Sequence, residues 1–100
     1  MHEKDRSELP LNDALLLLTN QNEVEKFLKD LCTPQEIEAL QERWRVCQLL
    51  DQNDLSYRDI HEITGASLTT ISRVARFLKN ETNQGYRTIL DKIKKRRKTK

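Results

Sequence analysis

Residues 56–78, SYRDIHEITGASLTTISRVARFL, decide the fold. They read as two short helices joined by a tight turn. Ser56 is placed to cap the first helix, its hydroxyl accepting a backbone N–H that otherwise lacks a partner. Ile60 and Ile63 give that helix an apolar edge. Gly65 supplies the positive φ that reverses the chain, a conformation that a Cβ resists. Ser67 caps the second helix, whose inner face is Leu68, Ile71, Val74, Ala75 and Leu78. Its outer face is Thr69, Thr70, Ser72, Arg73 and Arg76. A merely solvated face more often carries Glu and Lys, because Thr and Ser are mediocre helix formers. Short hydroxyls interleaved with guanidinium forks suit base edges and phosphates in a DNA major groove. The expectation is a helix-turn-helix with its second helix as the recognition helix.

Charge follows the same division. Residues 1–55 hold six Lys/Arg against twelve Asp/Glu, and residues 56–100 hold twelve against four. The small overall charge of +2 therefore conceals an acidic half and a basic half. The basic half contains the helix-turn-helix, which concentrates positive potential where DNA would lie. One hundred residues, of which 36% are hydrophobic and 34% charged, allow one domain with a modest core. That favours a mostly helical subunit that completes its core by dimerising. Two Gly and two Pro fit helices with short connections and argue against a sandwich or barrel.

Outward from residue 56, the strongest boundary signal is Thr33-Pro34-Gln35-Glu36. Thr33 as N-cap, Pro34 at the first helical position and Glu36 three residues after the cap form a complete capping box. The helix it starts is expected to run to about Asp51. Ile37, Leu40, Trp44 and Cys47 form one stripe, widened by Val46, Leu49 and Leu50, which suits a central helix packed on several neighbours. Trp44 reads as a core or dimer anchor. Before it, Asn20 or Asn22 caps a helix with Val24, Phe27, Leu28 and Leu31 as its buried stripe. Earlier still, PLNDALLLLTN places Leu15–Leu18 behind Leu9, Leu11 and Ala14. A helix apolar on nearly every side must be buried on nearly every side, either within a partner subunit, the favoured reading, or within its own chain.

Gln52-Asn53-Asp54 reads as a turn, residues 80–85 as a break, and a last helix from about Tyr86 has Ile89, Leu90 and Ile93 as a short apolar face. The expected organisation is a frayed end at 1–8, an all-α domain of about six helices at 9–93, and a basic tail at 94–100. That tail is expected to be a solvated, disordered end that can add phosphate contacts beside DNA. Cys32 and Cys47 do not form a metal pattern with His2 or His61; they read as reduced, buried thiols of a cytoplasmic protein. No cofactor and no metal are implied, no apolar run approaches the ~20 residues of a membrane span, and no catalytic set accompanies His61, so an enzyme is not expected.

With these landmarks in place, the sequence resembles the Trp repressor superfamily, and more closely its YerC/YecD-like subgroup. The resemblance rests on Leu31-Cys32-Thr33-Pro34-Gln35-Glu36 with Glu38-Ala39-Leu40, then Leu49-Leu50, then Ser56-Tyr57-Arg58-Asp59-Ile60, then Gly65-Ala66 with Thr70-Ile71-Ser72-Arg73. Order and spacing agree over most of the chain, with about one extra residue in the turn at 52–54. The resemblance implies an intertwined homodimer that binds double-stranded DNA at a two-fold symmetric operator. It also places Thr33, Arg43 and Arg73 where the family's ligand-contacting threonine and arginines sit. Two neighbours depart: Val74 stands where the tryptophan repressor has a glycine, and Phe77 where it has a serine. A branched valine fills the space an indole needs, and Phe77 offers no polar contact. L-tryptophan is therefore not expected as corepressor, and the sequence leaves any other effector open.

Arg43 and Arg45 follow Glu42, so surface ion pairs are the favoured reading and an anionic effector the sharper one. The residues expected to meet DNA are Leu68, Thr69, Thr70, Ser72 and Arg73 toward the bases, with Leu68 able to touch a thymine methyl, Arg58, Arg76 and Lys79 toward phosphates, and the capping Ser67 beside them. The expected function is a sequence-specific DNA-binding transcriptional regulator, a repressor by the family's pattern. The competing reading is a helical interaction module that uses the same motif for protein contacts.

Overall fold

The protein is described here by a computed structural model that covers residues 6–80 and 83–98. Among these residues all regular structure is helical: α1 (Leu11–Leu15), α2 (Gln21–Leu31), α3 (Pro34–Gln52), α4 (Tyr57–Thr64), α5 (Leu68–Asn80) and α6 (Gly85–Lys98). Residues 1–5, 81–82 and 99–100, parts of the expected frayed end, break and tail, lie outside the described residues. The chain divides into two compact units, residues 1–37 and 38–100.

In the N-terminal unit the leucine run departs from expectation. Helix α1 stops at Leu15, and Leu17 and Leu18 close tight turns onto the carbonyls of Ala14 and Leu15. The reason is the next cap. Asn20 takes an extended conformation and its side chain accepts the Glu23 N–H at 2.9 Å. Glu23 in turn receives the backbone N–H and the hydroxyl of Thr19 at 2.9 and 3.0 Å. These bonds hold the Glu23 carboxyl below the usual carboxylate range. A chain committed to that geometry at Thr19 and Asn20 cannot remain helical through Leu18. Of the α2 stripe, Phe27 and Leu28 are half-buried while Val24 and Leu31 are exposed. The capping box of α3 forms as read: Thr33 Oγ accepts the Glu36 N–H at 3.1 Å and Glu36 accepts the Thr33 N–H at 2.8 Å.

The C-terminal unit holds the core. Val46, Cys47 and Leu50 of α3 meet Ile60 of α4, Ala66 of the turn, Ile71, Val74, Ala75 and Leu78 of α5, and Leu90 of α6. Trp44, Leu49, Leu55 and Tyr86 pack against this cluster. Burial pushes the Cys47 thiol up to about 11, and the nearby Asp51 charge adds to the effect. Asp51, itself largely buried, receives Arg87 at 3.1 Å and Lys94 at 3.3 Å, tying the end of α3 to α6. Four apolar expectations are corrected: Leu40, Ile63, Leu68 and Ile89 lie 42%, 46%, 55% and 46% exposed, beyond the reach of the core. A fifth correction concerns the C-terminus. The disorder expected from residue 94 gives way to helix through Lys98, with the Asp51–Lys94 bridge anchoring its fifth residue from the end.

Candidate nucleic-acid interface

The turn between α4 and α5 is held at every step. Ser56 Oγ accepts the Asp59 N–H at 3.0 Å, and the Ser56 N–H donates back to the Asp59 carboxylate at 3.1 Å. These bonds, the backbone one foremost, lower the Asp59 pKa. Gly65 adopts φ +78° and its N–H closes α4 onto the His61 carbonyl at 2.8 Å. Thr64 Oγ donates to the Ile60 carbonyl at 2.7 Å and accepts the Ala66 N–H at 3.0 Å. His61 Nδ1 lies 2.7 Å from the Ala66 carbonyl. A carbonyl only accepts, so Nδ1 carries the proton and the imidazole staples the turn. His61 is exposed, and a histidine five residues before a backbone carbonyl leaves no compositional trace, so only the fold reveals the bond.

Helix α5 starts from the Ser67 cap, whose Oγ accepts the Thr70 N–H at 3.1 Å and donates to Thr70 Oγ at 3.1 Å. Ile71, Val74, Ala75 and Leu78 seat its inner face in the core. The opposite face gathers Leu68, Thr69, Ser72, Arg73 and Arg76 around one open concavity of about 510 Å³. Ser67 and the half-buried Thr70 are occupied with each other at the cap, Arg58 is exposed on α4, and the Lys79 ammonium stands 5.9 Å from the Tyr57 ring centroid. The Arg73 and Arg76 guanidinium groups lie 4.6 and 5.4 Å from the centroid of Phe77.

Of the three candidate effector residues, Arg43 and Arg73 come together around Tyr86 and both favour its ionised form. Burial nevertheless dominates and raises the Tyr86 pKa, assisted by Cys47. Thr33 belongs to the N-terminal unit, where its hydroxyl caps α3. Among the described residues no acidic side chain pairs with Arg43 or Arg45. Val74 is fully buried and Phe77 half-buried. Among the described residues no group of His, Cys, Asp and Glu is arranged to hold a metal ion. No helix of the described residues is long and apolar enough to cross a membrane.

Comparison with known proteins agrees with this geometry. The sequence model of the family described as "Trp repressor protein" matches residues 9–94. The uncharacterized protein YerC of Bacillus subtilis is 40% identical over 84 residues, covering 84% of this chain and 79% of that protein. A Trp operon repressor homolog of Aliivibrio salmonicida is 37% identical over 75 residues, covering 72% of this chain and 69% of its own. The crystal structure of a TrpR-like protein from Eubacterium eligens superposes with a TM-score of 0.77 at 40% identity, covering 83% of this chain and 84% of that one. The chain thus belongs to the Trp repressor family, whose members are DNA-binding transcriptional regulators rather than enzymes.

Proposed function

We propose that this chain is a sequence-specific transcriptional repressor of the cytoplasm that binds a two-fold symmetric operator as an intertwined homodimer and does not respond to tryptophan. The observation that carries the reading is the outer face of α5. Thr69, Ser72, Arg73 and Arg76 project together from a helix whose other side is locked into the core. A face so rich in short donors and guanidinium groups, with no acidic residue on its helix, complements base edges and phosphates. Leu68, Thr69, Ser72 and Arg73 read bases. Arg58, Arg76 and Lys79 hold phosphates and set the register. Ser67 and Thr70 serve mainly to start the helix, a narrower role than base contact. The dimer axis spaces the two α5 helices by one DNA turn, ~34–36 Å. Support for tryptophan independence comes from Val74, which has no exposed surface, and from Phe77, which is half-buried and offers a ligand no polar contact.

The test is selection of bound sites from random DNA with the purified protein, followed by binding measurements in graded salt. Replacing Arg73 by Ala is expected to weaken the selected operator by about 1–3 kcal/mol, as for loss of a bidentate base contact. It should relax preference at one position of each half-site. Arg76→Ala should weaken all DNA more evenly and flatten the salt dependence. Retention of wild-type operator affinity by Arg73→Ala overturns the base-reading role. A protein that selects no site and shows no salt-dependent DNA binding is an interaction module instead.

A further inference from the structure

The two arginines at the centre of the α5 surface share one support. Phe77 has the Arg73 guanidinium 4.6 Å from its ring centroid and the Arg76 guanidinium 5.4 Å from it. No acidic side chain among the described residues forms an ion pair with either. The ring is therefore what orders them, since a weakly hydrated, planar guanidinium stacks readily on an aromatic face. Phe77 itself is half-buried. With Arg73, Asn83, Gly85 and Tyr86 it lines a cavity of about 330 Å³ where α5 meets the start of α6, and Tyr86 packs against the core. An unsupported arginine carries about 2 kcal/mol of rotamer entropy, part of which is lost when it is fixed on a ligand. A stacked one has already lost some of it.

We infer that Phe77 is the positioning residue of the recognition helix: its ring orders Arg73 and Arg76 for DNA within the chain itself, so that specific binding requires no small-molecule effector. The inference rests on the proposed DNA-binding role of those arginines and deepens it. A serine or glycine at position 77 would leave both guanidinium groups without a platform. Leucine keeps much of the apolar volume but has no π face, whereas tryptophan offers a larger one.

The experiment uses the full chain, unfolded, dialysed and refolded to remove carried-over small molecules, and an operator selected by the wild type. The refolded wild type is expected to bind that operator with nothing added. Phe77→Leu should weaken binding about five- to thirtyfold, the size expected for two surface cation–π contacts, and Phe77→Trp should remain within about twofold of wild type. In an Arg73→Ala background the cost of Phe77→Leu should be clearly smaller. A general loss of stability would instead cost the same in both backgrounds, so the cycle separates positioning from folding. Wild-type affinity in Phe77→Leu, an equal cost in both backgrounds, or refolded protein that binds only after a cell extract of small molecules is added each overturns the inference. Failure of the wild type to select any operator overturns the DNA-binding reading itself, and this one with it.

Discussion

At the scale of single residues, position 47 shows how burial changes a side chain's chemistry. The Cys47 thiol is wholly enclosed by the α3–α5 core, and its pKa is pushed up to about 11. At pH 8 only about a thousandth of such a thiol is ionised, against about a tenth at an ordinary thiol value of 9.0. The thiolate is the nucleophile, so the raised pKa slows alkylation, and enclosure by the core adds steric protection. Cys32 is partly exposed. Brief treatment of the native protein with iodoacetamide at pH 8 should therefore label Cys32 and spare Cys47, with both labelled after unfolding in urea. Mass spectrometry of tryptic peptides reads the result, and equal labelling of both in the native protein contradicts the packing of α3 on α4 and α5. Position 74 makes a complementary point. A fully buried valine lets α5 seat tightly on the core, while Phe77 one helical step away turns the freed outer edge into a platform for cations.

At the scale of elements, the turn between α4 and α5 is the joint that sets the orientation of the recognition helix. Gly65 adopts φ +78°, and a Cβ built there meets no atom within 4 Å. Any loss on substitution is thus backbone strain and not collision. Gly65→Ala should destabilise by about 1–2 kcal/mol, the cost of a left-handed conformation for an ordinary residue. In a domain of this size that is a drop of roughly 4–16 °C in melting temperature. Thermal denaturation followed by circular dichroism checks it, and an unchanged melting temperature places the turn in another conformation. This joint was largely legible in the sequence, because caps and left-handed glycines are local rules: Ser56, Gly65, Ser67 and the Thr33 box each act within four residues. What local rules missed depends on surroundings. The leucine run is helical by propensity, but the Thr19–Glu23 and Asn20–Glu23 bonds end α1 at Leu15. Leu68 fits the inner stripe by spacing, yet as the first residue of α5 it lies past the edge of the core. The basic C-terminus reads as disordered by charge alone, and Asp51, over forty residues upstream, supplies the bridge that keeps Lys94 in the helix. The site was legible as a list of residue types on one helix face. Which of them are busy capping, and which share an aromatic support, was not.

At the scale of the whole molecule, the distribution of buried surface is uneven. All ten buried hydrophobic residues among those described lie between Val46 and Leu90, and the N-terminal unit contributes none. That unit instead exposes Leu9, Leu11, Leu15, Leu16 and Leu17, with Leu16 and Leu17 at 82% and 68%. Scattered apolar side chains are normal on a surface, but five exposed leucines within nine residues are a concentration of the kind that marks an interface. Burying a leucine contributes about 1.5–3 kcal/mol. Five together offset much of the estimated 4–15 kcal/mol lost in freedom on association. A second copy of the chain is the occupant that the proposed two-fold operator reading requires, since one α5 per operator half-site demands two subunits. The wild type should therefore sediment as a dimer of 11.8 kDa chains at micromolar concentration. Replacing Leu16 and Leu17 together by Glu puts two charges into that interface and should shift the protein to monomer. Because the C-terminal core lies wholly within residues 38–100, the variant should keep most of its helical circular dichroism while losing high-affinity operator binding. Monomeric, helical protein that binds only half-sites weakly is the expected result. A double variant that still sediments as a dimer locates the subunit contact away from the leucine run.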